Sequence, residues 1–174
     1  MKKRILSILL VCLAGLAACA TTNQTQVDLA TAEGKLLRGV TLYMAQPVVT
    51  GESDVTTPVI AHDLANFLYP YVHVLIARED FSQEENLKIA AANDCRYMGV
   101  VQVNRWKESD GMMSSGYDID VSVTFYEVET GTLIGATSVH DTCTSTIRTE
   151  AVTGIKCIEG SLREWAQRLF RAPE

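Results

Sequence analysis

Apolar residues recur with two periods along this chain, and each change of period marks an element. Val40-Thr41-Leu42-Tyr43-Met44-Ala45 is rich in strand formers and stops before Pro47, which predicts a first strand. Thr57-Pro58 opens a helix, with Thr57 as N-cap and Pro58 in the first turn. Ile60, Leu64, Phe67, Leu68 and Tyr71 then recur at helical spacing as one buried stripe, and Pro70 ends the helix. His73 to Ala77 reads as a short buried strand, and Ser82-Gln83-Glu84-Glu85 has the form of a capping box before an Ala-rich helix. Three strands follow: Tyr97 to Trp106, Tyr117 to Val128, and Leu133 to His140. In the second, Ile119, Val121, Val123 and Phe125 alternate with Asp118, Asp120, Ser122 and Thr124, so one sheet face is dry and the other wet. Glu129-Thr130-Gly131-Thr132 is a tight connection. After a polar stretch from Asp141 to Glu159, Ser161-Leu162-Arg163-Glu164 reads as a second capping box opening a last helix with Trp165 and Leu169. The order β-α-β-α-β-β-β-α predicts an α+β domain with a mixed sheet and its helices packed on one face.

The first residues follow different rules. Lys2-Lys3-Arg4 precedes an apolar run from Ile5 to Gly15, too short to span a bilayer but the right length for a secretory leader. Leu16-Ala17-Ala18-Cys19 resembles the lipobox of bacterial lipoproteins, in which the cysteine is acylated and becomes the first mature residue. Ala20 is not the aspartate that retains such proteins at the inner membrane, so the resemblance implies an outer-membrane anchor with the domain facing the periplasm. The expected organisation is a signal peptide over 1–18, a lipidated tether over 19–36, rich in Thr, Gln, Asn and Ala, and one domain over 37–174.

Charge excludes one class of partner. The net charge of −6 becomes more negative once Lys2, Lys3 and Arg4 leave with the leader, and an acidic domain has no electrostatic attraction to nucleic acid.

The stretch Tyr97 to Glu108, with Ser115-Gly116-Tyr117-Asp118 and Glu127-Val128-Glu129-Thr130-Gly131, resembles the lipoprotein family called domain of unknown function 4823. The chain is also similar, more distantly, to the periplasmic fold shared by the TolB amino-terminal domain, the curli secretion lipoprotein and the lipoprotein activator of penicillin-binding proteins. These resemblances imply an envelope protein and name no reaction.

The residues name none either. His62, His73 and His140 lack the close spacing of a zinc motif, and no Cys-x-x-Cys, G-x-S-x-G, P-loop or dinucleotide fingerprint occurs. Asp118 and Asp120 read as solvated strand charges. The expectation is a non-enzymatic chain without cofactor or metal. Trp106 at a strand end and Met112-Met113 at a loop tip are the candidate contact residues for an envelope protein partner. The alternative is a small-ligand or envelope-stress sensor, or an enzyme whose site forms only on folding; a pocket converging on His140, Asp118 or Asp120 would favour it. Of the cysteines left after Cys12 and Cys19, Cys143 and Cys157 bracket the polar stretch and form the candidate disulfide, with pairing of either to Cys95 as the alternative.

Overall fold

A computed structural model describes the backbone of residues 22–28, 32–110, 115–145 and 154–170, and the side chains of 32–108, 116–143 and 159–170. The elements in chain order are β1 (Thr22–Asp28), β2 (Thr41–Met44), β3 (Val48–Ser53), α1 (Thr57–Leu68), β4 (His73–Ile76), α2 (Gln83–Ala92), β5 (Tyr97–Asp110), β6 (Ser115–Glu127), β7 (Leu133–Ser145) and α3 (Gly154–Leu169). All seven strands join one mixed sheet in the order β1-β7-β6-β5-β2-β4, with β3 also alongside β5. The α+β class and the mixed sheet are those expected. The strand β5 organises it: β2 and then β3 run parallel along one edge, and β6 runs antiparallel along the other.

Local chemistry explains most boundaries. The N-cap of α1 is Thr56, one residue earlier than expected, with Pro58 in the first turn where a missing N–H costs nothing. The Ser82–Glu85 capping box is complete at α2. Gly131 takes φ +66°, a value that favours glycine, and its N–H donates to Glu127 O at 2.8 Å to close the β6–β7 turn.

The helices are not all on one face. Residues of α1 and α3, among them Ile60, Leu64, Leu68, Leu162, Trp165 and Leu169, share a core with Leu42, Val101, Val121 and Phe125. Ala90 of α2 instead packs with Tyr43 on β2 and Met98 on β5, residues of opposite parity, and with Cys95 just before β5. Strand order gives the reason. The chain steps from β2 outward to β4 and then back across β2 to β5, and parallel crossovers of one hand that step in opposite directions put their helices on opposite faces. The Tyr43 hydroxyl donates to Asn86 Oδ1 at 3.0 Å, fixing α2 to its own face.

Other features differ from expectation: β5 runs on to Asp110 and β7 to Ser145, past the Trp106 and His140 read as their ends, so Asp141 to Ser145 belong to a strand. Residues 22–28, read as tether, form β1 and pair antiparallel with β7 along its outer half. A strand absent from the sequence reading, β3, follows Pro47. Residue Ser161 lies inside α3 and is buried, so it does not cap the helix, which begins at Gly154. The Ser-x-x-Glu pattern arises there because Ser161 falls beside Leu162 and Trp165 on the buried face.

Candidate functional site

Trp106 lies in the core, 3% exposed, and offers no surface to a partner, which corrects its reading as a contact residue. The cause is a β-bulge between Val103 and Arg105. Simple alternation from Val101 and Val103 would turn Arg105 inward and Trp106 outward; the extra residue reverses the phase. Met112 and Met113 fall outside the described residues, as do Cys19 and the side chain of Cys157. Cys143 is buried on the α3 face of β7. Cys95 is a buried free thiol on the α2 side, and burial with Asp94 beside it pushes its pKa up, away from the reactive thiolate.

The candidate polar residues Asp118, Asp120 and His140 lie side by side on the paired strands β6 and β7. Asp120 stands opposite His140 in the β6–β7 register and accepts from Asn104 Nδ2 at 3.2 Å. Asp118 accepts from Arg105 Nη1 at 2.9 Å. They lie on the sheet face away from α1 and α3. Among the described residues no group of three His, Cys, Asp or Glu is placed to hold a metal ion.

A concave site forms elsewhere, between α1 and α3, as a groove of about 530 Å³. Helical spacing builds both walls. Asp63, Asn66 and Phe67 share one face of α1, and Glu159, Arg163 and Gln167 share one face of α3. Pro70 and Tyr71 close one end as the chain leaves α1. Tyr71 is held in place by stacking on Phe170, ring centroids 5.0 Å apart and 7° from parallel, with the Arg38 guanidinium 5.1 Å over its ring. On the α3 wall Arg163 Nε donates to Glu159 Oε1 at 2.9 Å.

Asp63 is the unbalanced charge of this groove. It is half-buried, and no described side chain pairs with it. Burial pushes its carboxyl above the ordinary aspartate range, and His62 beside it offsets part of that rise. A carboxyl raised on folding favours the folded state below its unfolded pKa, and that advantage is lost as pH rises through the folded value. Asp63→Asn is therefore expected to raise the melting temperature at pH 7 and to flatten its fall between pH 4 and 7. Thermal denaturation across that range checks it; a lower melting temperature at pH 7 contradicts it.

Sequence reading missed the groove because Asp63 and Glu159 lie far apart in the chain. The available signal was local: an acidic residue bordering the apolar stripe of one helix, and an i, i+4 ion pair beside that of another.

No protein-family model matches the chain. No curated protein sequence matches it either. Solved structures do. The PelC dodecamer from Paraburkholderia phytofirmans is similar over 88% of this chain and 100% of its own, at 18% identity and a TM-score of 0.61. A variant of that protein with one substitution, also a dodecamer, gives 17% identity and 0.60 over the same shares. The lipoprotein GNA1162 from Neisseria meningitidis aligns over 74% of this chain and 99% of its own, at 9% identity and 0.47. The chain thus shares the fold of the PelC structures.

Proposed function

We propose that this chain is a non-enzymatic lipoprotein, anchored in the outer membrane through Cys19, whose periplasmic domain acts as a protein-interaction or accessory module of the cell envelope. The observation that carries this reading is the lipobox Leu16-Ala17-Ala18-Cys19 behind a basic, apolar leader. The fold supports it. Among the described residues no helix is long and apolar enough to cross a membrane, so anchoring by acyl chains is the mode the sequence supplies. The resemblance to the domain of unknown function 4823 adds an envelope context of the same kind. Cys19→Ala is expected to abolish fatty-acid labelling and move the protein out of the membrane fraction. Labelling of the variant at wild-type strength overturns the lipoprotein reading. Photo-crosslinking in intact cells tests the module: reproducible crosslinks to one envelope protein support it, and turnover of an envelope substrate by purified protein contradicts it.

Self-association is a second reading, favoured by one feature. Among the described residues the strand β3 pairs with β5 alone, and Val48 and Val49 on it are 45% and 37% exposed. An open apolar edge is a template for pairing with another strand, and the similar PelC structure is a dodecamer. Native mass spectrometry of the full lipoprotein in detergent should give a closed homo-oligomer, and a monomer at all concentrations removes this reading.

We also propose a Cys143–Cys157 disulfide. The helix that carries Cys157 packs on β7 from the face to which Cys143 points, whereas Cys95 belongs to the opposite face. Closing a loop of about 15 residues stabilises the fold by about 3 kcal/mol on the chain-entropy model. Non-reducing peptide mapping of the exported protein should recover the linked pair, and two alkylatable thiols at these positions contradict it.

A further inference from the structure

We propose that the groove between α1 and α3 binds the ammonium group of a lysine side chain presented by a protein partner, with Asp63 as its counter-ion. This rests on the reading of the chain as a protein-interaction module and names the chemistry by which it would recognise its partner.

The argument begins with charge. Within the groove, Glu159 and Arg163 neutralise each other through their 2.9 Å contact. Asp63 on the facing helix has no hydrogen-bonded or ion-paired side chain among the described residues and only His62 beside it in the chain, so the groove carries one carboxylate without an ion-pair partner in a net negative protein. Its carboxyl is partly removed from water, which disfavours the charge it holds. A cation placed beside it recovers that loss, because desolvated opposite charges attract more strongly than exposed ones.

The surroundings specify what kind of cation. Phe67, with Pro70 and Tyr71 at one end, gives the groove an apolar part of its lining, which suits a methylene stem rather than a hydrated metal ion. The side-chain carbonyls of Asn66 and Gln167, one on each wall, can accept the remaining N–H donors of an ammonium. A lysine has this combination of a flexible apolar stem and a compact charge with three rotatable donors. The volume of about 530 Å³ exceeds a single side chain and leaves room for the partner backbone that presents it. Asp63 thus costs stability in the free protein, as a group kept for binding does.

The test uses the full-length lipoprotein in detergent and two probes, Nα-acetyl-lysine amide and Nα-acetyl-norleucine amide, which share a stem and differ in the charge. The lysine probe is expected to bind in the millimolar range and shift the NMR signals of Asn66 and Phe67, with the norleucine probe at least tenfold weaker. Asp63→Asn is expected to weaken lysine binding at least tenfold while raising the melting temperature, so that lost binding cannot be ascribed to unfolding. Equal binding of both probes, or undiminished lysine binding by Asp63→Asn, overturns the site. A photo-crosslinker at Asn66 in intact cells then tests the source of the lysine. A crosslinked envelope protein that is lost on adding Asp63→Asn supports the proposal. Probe binding with no protein captured at Asn66 overturns the protein partner and assigns the groove to a free amine, leaving the module reading to crosslinks elsewhere on the surface.

Discussion

Trp165→Ala is expected to destabilise the protein by about 3–5 kcal/mol, the range for deleting a large buried aromatic. Trp165 is 1% exposed and sits where α3 meets the sheet, packed in the core that includes Ile119, Val121 and Val139. Its indole Nε1 also donates to Thr137 Oγ1 at 3.0 Å, a buried bond between α3 and β7. Truncation leaves a cavity and removes that donor together. Trp165→Phe retains most of the volume and should cost less, about 1–2 kcal/mol for the lost hydrogen bond. Urea unfolding of the pair separates the two contributions. Equal losses would mean that the hydrogen bond dominates, and a loss below about 1 kcal/mol for the alanine variant would contradict the packing described.

Gly51→Val should be nearly as damaging for a different reason. A Cβ at Gly51 would lie 1.8 Å from the Asn104 carbonyl oxygen and 2.9 Å from its carbon. Both atoms are backbone, so no side chain can turn aside. Irregular register on β3 between Val49 and Glu52 lies beside the bulge at Asn104 on β5, and the glycine lets the two distorted strands approach. Any side chain here must push β3 away from β5, at about 1–3 kcal/mol or more. Gly51→Ala meets the same oxygen and should show most of the effect. Hydrogen exchange should become faster in β3 than in β6; unchanged protection of β3 would contradict the close approach.

What the sequence disclosed depended on how locally each feature is determined. The helices α1 and α2 and the strands β2 and β4 to β7 were legible because each carries its own periodicity, strand-former run or cap, such as Ser82–Glu85 or the Ile119-to-Phe125 alternation. The edge strands β1 and β3 were not. Thr22-Asn23-Gln24-Thr25-Gln26-Val27-Asp28 and Val48-Val49-Thr50-Gly51-Glu52-Ser53 carry little alternation, and an edge strand needs only a neighbour's backbone to pair with. The face taken by α2 and the burial of Trp106 depend on strand order and on a bulge, which no single stretch of residues encodes. The α1–α3 groove depends on two helices meeting across the fold, so its residues carried only half-signals, one on each helix. No family model matches the chain, so the resemblance to the domain of unknown function 4823 rests on the motifs between Tyr97 and Gly131 alone.

The pairing of β1 with β7 changes how the domain would ride on its membrane. With a lipid on Cys19, only Ala20 and Thr21 separate the anchor from the first strand residue, a reach of about 10 Å when extended. A leash many residues long would let the domain swing and turn freely; so short a link acts as a bolt. Thr22 stands opposite Thr144, which stands opposite Gly116, so the bolt enters at the end of the sheet where β5 turns into β6. With Cys19 lipidated as proposed, that end would be held toward the bilayer, and the opposite end, with the β6–β7 turn at Gly131, would point away from it. Such a mount would give each molecule a fixed up and down, and neighbouring copies on one bilayer would share a common orientation before they ever touch.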